Sequence, residues 1–224
     1  MSRIVDYCHC KVYSTGLHNL LTVLMSIAII EAKENLKDQI ANLDGISKEQ
    51  QEAHWKVYME HVEEVNNMLR DLNEARNAGK DDRFIQARRR RLGHELSSVY
   101  LHEIFFSCLV NGGSPMSEEL KSLILKHFGG QDNFMEELVS SAKTRGIGWT
   151  VLYYDKERDN MYLTHTEGYE NSQVAGLGIV FCLDHFEHGY LIDNGSGQGA
   201  SMKFFETIKR HICWKSVEER FKSL

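Results

Sequence analysis

The residues best suited to chemistry lie in one short segment, Asp184-His185-Phe186-Glu187-His188-Gly189-Tyr190. A carboxylate and an imidazole four residues apart can converge on one metal ion where the backbone turns between them. Carboxylate oxygen with imidazole nitrogen suits Fe, Mn or Zn. The same spacing also fits a buried aspartate with satisfied hydrogen bonds beside a surface histidine, and spacing alone does not separate the two. Three other segments carry reactive or charged residue types. Cys8-His9-Cys10 has no second Cys/His pair at zinc-ribbon spacing and reads as incidental. Arg88-Arg89-Arg90-Arg91 falls in a helical stretch, where adjacent positions spread around the axis. It reads as a solvated helix turn rather than a nucleic-acid stripe. The glycines at 195, 197 and 199 are not flanked by the parallel strand and helix that a phosphate-binding loop needs.

The elements around these residues follow from periodicity. Leu17 to Leu43 places apolar residues at 20, 21, 24, 27, 28 and 36, a helical pattern that Asp44-Gly45 ends. Within it, the apolar run Leu20 to Ile30 is too short to span a bilayer and reads as a buried helix. Ser47-Lys48-Glu49-Gln50 has capping-box spacing and opens a helix running to Ala78, with Gly79 past its end. A third helix runs from about Asp82 to Leu109, closed by Asn111-Gly112-Gly113. Shorter helices follow Ser117 and span 133–143. β-branched and aromatic residues then mark strands at Trp149–Tyr154, Met161–His165 and Ile179–Leu183, the first two joined by a turn at 156–160. Asn194 to Gly199 reads as a loop, and 204–212 and 216–221 as closing helices. The order predicts an α+β fold split near Gly113.

Composition narrows the field further. Of 224 residues, 42% are hydrophobic, enough for a packed core and too many for a disordered chain. The net charge of −6 disfavours nucleic acid as a partner. A single proline, Pro115, suits a helix-rich chain. Five scattered cysteines give no disulfide framework and point to a reducing compartment.

The segment 184–190 resembles Asp-x-Trp-Glu-His-Ala-Tyr, the C-terminal signature of the iron/manganese superoxide dismutase family, with Phe186 and Gly189 in place of Trp and Ala. Other segments resemble the same family in the same order. Ile46 to His54 is similar to its Ile-Ser/Asp-x-Glu-x-x-x-x-His helix start, and His102 to Leu109 to its His-x-x-Phe-x-x-x-Leu helix segment, with Leu101 where the family has Asn. Phe128 to Phe134 resembles Phe-Gly-Ser-x-x-x-Phe, and Gly146 to Leu152 resembles Gly-Ser-Gly-Trp-x-Trp-Leu. The motifs run from about residue 46 to the C-terminus. Residues 1–45 look like an atypical helical extension, 46–113 like the family's α-hairpin domain, and 114–224 like its C-terminal domain with a three-stranded antiparallel sheet.

The resemblance implies one Fe or Mn ion per chain, held by His54, His102, Asp184 and His188. It implies superoxide as substrate, dismuted to dioxygen and hydrogen peroxide. It also implies a homodimer, or a dismutase-like heterodimer, with Glu187 and Tyr190 at the interface, and no membrane or specific nucleic-acid partner. Cytoplasm and mitochondrial matrix both fit. The surroundings depart from the family. A glutamine that family members use beside the metal comes from one of two places, here Ser98 and the stretch near Glu167-Gly168. His165 is a candidate substitute. The family's His and Tyr one and two turns after the first ligand correspond to Tyr58 and Val62, with His61 one residue away. Tyr58, His61 and His165 are therefore the candidate catalytic residues. The arginine expected after the signature is replaced by the Gly/Ser loop. These departures admit a second reading, a non-catalytic dismutase-like subunit of a larger assembly, for example a mitochondrial one. The retained ligand set and the acidic charge favour the enzyme.

Overall fold

In a computed structural model that describes residues 29–144, 146–171 and 173–224, the chain enters as an extended segment followed by a short helix, α1 (Asn35–Ile40). The expected helix over 17–43 is thus mostly absent from its described part. Three of its backbone groups bond to side chains of the next long helix. Ile30 N–H donates to Asn66 Oδ1 (2.8 Å), Asn66 Nδ2 donates to the Ile30 carbonyl (2.9 Å), and Lys33 N–H donates to the Tyr58 hydroxyl (3.0 Å). Residues 17–28 of that expectation, and Cys8-His9-Cys10, lie outside the described residues.

Helix α2 (Lys48–Asn77) starts where Ser47 accepts from the Gln50 N–H (3.1 Å). Its buried stripe, His54, Trp55, Tyr58, Val62, Val65 and Met68, recurs every three or four residues and faces inward. Helix α3 (Arg83–Ser107) is capped by Asp82, which accepts from Ile85 N–H (3.1 Å). The short connection makes the pair antiparallel, as the cross-pairs Tyr58–Glu103, His61–Glu95 and Glu64–Arg88 show. Three of the four arginines in the run make ion pairs: Arg88 with Glu64 and Asp71, Arg89 with Asp81, and Arg91 with Glu95.

Helices α4 (Glu118–Phe128) and α5 (Gln131–Ala142) lead into the sheet of β1 (Gly148–Asp155), β2 (Asn160–Glu167) and β3 (Gly178–Asp184). The order is β2-β1-β3, all antiparallel. Trp149 sits opposite Thr166 on one side and Asp184 on the other. Gly148 makes this register feasible, since a Cβ there would lie 1.9 Å from the Thr166 carbonyl oxygen. Helices α6 (Leu191–Asn194), α7 (Gln198–Ile208) and α8 (Trp214–Ser223) close the chain. The loop expected over 194–199 is shorter than its glycines suggest. Gly197 caps α7, and Gly199 lies in the first turn, where a glycine is tolerated.

One apolar cluster joins the helical half to the sheet half, from Leu36 through Phe105 and Val151 to Val217. Among the described residues, no helix is long and apolar enough to cross a membrane. Cys108, Cys182 and Cys213 are free thiols.

Candidate metal centre

Four side chains from three parts of the fold meet between the helix pair and the sheet. His54 comes from α2, His102 from α3, Asp184 from the last residue of β3, and His188 from the 3-10 turn Glu187–Gly189 that follows. One ligand atom from each lies within 4.8 Å of the others. Asp184 Oδ2 is 3.0 Å from His54 Nε2, 2.9 Å from His188 Nε2 and 3.8 Å from His102 Nε2. His102 Nε2 and His188 Nε2 are 3.4 Å apart.

The surroundings orient each donor. Phe186 N–H donates to Asp184 Oδ1 (2.8 Å), so only Oδ2 faces the imidazoles. His102 Nδ1 donates to the Ser98 carbonyl one turn back (2.8 Å), which leaves Nε2 with its lone pair toward the centre. His188 is held through its backbone. Gln50 Nε2 donates to the His188 carbonyl (2.6 Å), and Ile192 N–H donates to Gln50 Oε1 (2.8 Å). Gln50 is the fourth residue of the capping-box spacing, yet its side chain leaves the helix start to grip the ligand turn.

Electrostatics favour the states a metal needs. Burial lowers the pKa of His54, and that of His102 well below the ordinary imidazole value, so both are neutral. Burial works to raise Asp184, but the facing His188 and His54 outweigh it and hold the carboxyl well below the usual range. A carboxylate oxygen and three imidazole nitrogens turned toward one point, with little water, form a donor set that fits one Fe or Mn ion. His188 is the most open of the four. Its side chain is 18% exposed, against 7% for His54 and 0% for His102 and Asp184.

Aromatic rings wall the centre. Trp149 packs edge-on to His102 (5.1 Å between ring centres), and Phe105 and Phe106 flank His54. The Tyr58 ring lies 6.3 Å from that of His102, and its hydroxyl donates to Glu103 Oε1 (3.1 Å). Burial pushes the Tyr58 phenol up to about 12. The His61 ring lies 5.9 Å from that of His102, and its Nδ1 donates to Glu95 Oε2 (2.5 Å).

His165 does not join this group. Strand alternation puts Trp149 and its neighbour Thr166 on the helix-pair face of the sheet, and Thr150 and its neighbour His165 on the other. There the His165 ring lies 5.8 Å from His185, whose Nε2 pairs with Thr150 Oγ1 (2.7 Å), itself joined to Ser141 of α5. The loop after β2 instead delivers Tyr169, one residue beyond the stretch singled out in the sequence. It is buried and faces the Ser98 side chain. Tyr169 and Glu95 carried no motif, and Gln50 only the capping-box spacing. Only Gln50 left a signal, an amide one turn before a ligand. Glu187 is exposed, and Tyr190, buried against Phe204, borders a cleft of about 440 Å³ with Ile147 and Ser201.

A family model described as iron/manganese superoxide dismutases, C-terminal domain, matches residues 116–220. A protein named superoxide dismutase [Fe] from Aquifex pyrophilus is 29% identical over 204 residues, covering 88% of this chain and 93% of that one. One of the same name from Methanothermobacter thermautotrophicus is 31% identical over 185 residues, covering 80% of this chain and 88% of that one. A third, from Helicobacter pylori, is 23% identical over 167 residues, covering 74% of this chain and 76% of that one. Coverage of 88% exceeds what residues 46–224 hold, so the similarity to the first of these reaches into the first 45 residues, before the earliest of the quoted motifs.

Proposed function

The chain belongs to the iron/manganese superoxide dismutase family, and from that premise we propose that it is an iron superoxide dismutase. It converts two superoxide anions and two protons into one dioxygen and one hydrogen peroxide. The observation that carries this reading is the convergence of His54, His102, Asp184 and His188 within 4.8 Å. Iron rather than manganese is proposed because the relatives cited above bear iron in their names. His54, His102, Asp184 and His188 would hold the ion, which would supply one-electron redox chemistry between two oxidation states.

The chain's own residues bind and orient. Asp184 supplies the anionic oxygen, and the three imidazoles supply nitrogens whose directions are set by Ser98, Gln50 and their packing. Trp149, Phe105 and Phe106 keep bulk water from the buried sides. Superoxide enters on the His188 side. His61 and Tyr58 flank His102 there, as proposed members of the substrate cavity. A second copy of the chain packs over Glu187 and Tyr190, covering the 440 Å³ cleft.

Metal analysis of the purified protein, joined to a superoxide-consumption assay after loading with iron or manganese, tests this. Activity with about one iron per chain is expected. A chain that takes up metal yet consumes no superoxide is instead the non-catalytic subunit, and greater activity with manganese overturns the metal assignment. Sedimentation of the parent and Glu187→Ala checks the dimer. The parent is expected as a dimer and the variant shifted toward monomer.

A further inference from the structure

Tyr169 is a loop residue, yet it is 5% exposed, whereas connecting segments ordinarily lie on the surface. Its ring is gripped on several sides. It stacks on Phe186 with ring centres 4.5 Å apart and planes 11° apart. Phe186 in turn stacks on His188 at 5.2 Å and 12°. Tyr169, Phe186 and His188 therefore form one pile of three near-parallel rings. The edges of His61 (5.1 Å) and His94 (4.9 Å) close on Tyr169. Those two are anchored by Glu95 and Glu170. The Tyr169 ring also lies 6.1 Å from that of His102, with its hydroxyl on the Ser98 side. Ser98 Oγ lies 3.3 Å from His102 Nδ1, the nitrogen whose proton the Ser98 carbonyl accepts.

We propose that Tyr169 is a positioning residue that couples two ligand imidazoles from opposite halves of the fold, His102 through Ser98 and His188 through Phe186. The inference rests on reading the four-residue cluster as a metal centre. Each arm works on a different degree of freedom. The hydroxyl arm bears on how the His102 ring is turned about its axis, since the Ser98 carbonyl already takes the Nδ1 proton. The stacking arm fixes the plane of His188, because any rotation of that imidazole lifts it off Phe186. Partners of this kind set a ligand's basicity and direction, and their loss lowers metal affinity by about 10–100-fold. Holding both ligands through one side chain means that a displacement of Tyr169 is felt by two metal bonds at once.

The arms can be cut separately in the full chain loaded with iron, and again with cobalt(II), whose visible bands report ligand geometry. Tyr169→Phe keeps the stack and removes the hydroxyl. Its iron content after saturating loading is expected to match the parent, while its iron midpoint potential and cobalt bands shift. Ser98→Ala is expected to shift the potential in the same direction, and the double variant to shift it no further than either alone, because both cut one chain of contacts. Tyr169→Leu loses the stack as well and is expected to release iron to a chelator about tenfold faster or more. Parental potential and cobalt bands in Tyr169→Phe, or shifts that simply add in the double variant, overturn the proposal while leaving the metal centre standing. A parent chain that holds no more iron than His102→Ala overturns the metal centre and this inference together.

Discussion

The carbonyl of Ser98 takes the Nδ1 proton of His102 at 2.8 Å, one helical turn away, and so aims the opposite nitrogen at Asp184. A helix supplies this relation at no conformational cost, since residues four apart lie on one face. His102 has 0% side-chain exposure and no other use for Nε2 than the centre. Replacing His102 with alanine removes one donor in four and should abolish stable iron binding and superoxide consumption together. Full iron occupancy in that variant, measured by elemental analysis, rules out the ligand assignment.

Gln50 acts at the other end of the centre. Its amide satisfies the His188 carbonyl and the Ile192 N–H at once. Gln50→Ala leaves both backbone groups without that partner, at a cost of about 1–3 kcal/mol each where they stay dry. It also frees the turn that carries His188. A lower thermal midpoint and about tenfold weaker iron binding are expected. Loss of stability with unchanged affinity is the result that contradicts a role in holding the ligand.

Glu95 lies buried between His61 Nδ1 (2.5 Å) and Arg91 Nε (2.7 Å). Burial raises its carboxyl, and the His61 and Arg91 hydrogen bonds more than offset this, so its pKa falls below the ordinary 4.5. A carboxylate lowered on folding contributes stability above its unfolded value and loses it as pH falls through the folded one. Glu95→Gln should therefore be less stable than the parent near neutrality, by about 1.5–3 kcal/mol. The gap should narrow as the pH drops below 4.5. Melting curves of both proteins across acid pH check this, and a gap that stays constant contradicts it.

Gly189 stands where the family signature resembled by this segment has alanine. A Cβ there would lie 3.2 Å from Phe204 Cζ and 3.4 Å from His54 Cε1. Gly189→Ala is expected to cost about 1–3 kcal/mol through overpacking. Adding Phe204→Leu should restore most of it by making room. If the double variant melts below the single one, the steric account is wrong.

The amino-acid sequence alone announced the two helices α2 and α3, the three strands and, through its resemblance to the family's motifs, the four positions that cluster as candidate ligands. The helices, the strands and the segment 184–190 are announced by local features, whereas His54 and His102 stand out only through the resemblance. Ser47 and Asp82 are caps that act within three residues, the apolar stripe of α2 has a helical period, and 184–190 is a contiguous motif. What surrounds the ligands was decided by the tertiary fold. His165 was a candidate substitute for the family's glutamine, but the register that pairs it with Thr150 turns it to the far face. Tyr169 had no motif and came to lie beside His102 and, through Phe186, in one stack with His188 because the loop after β2 folds against α3. The extended entry at 29–34 reads as helix until Asn66 and Tyr58, some thirty residues on, offer its backbone better partners. Local pattern sets which residues share a face of one element. Which faces meet depends on contacts between residues far apart in the chain, and those contacts leave no periodic trace for the sequence to show.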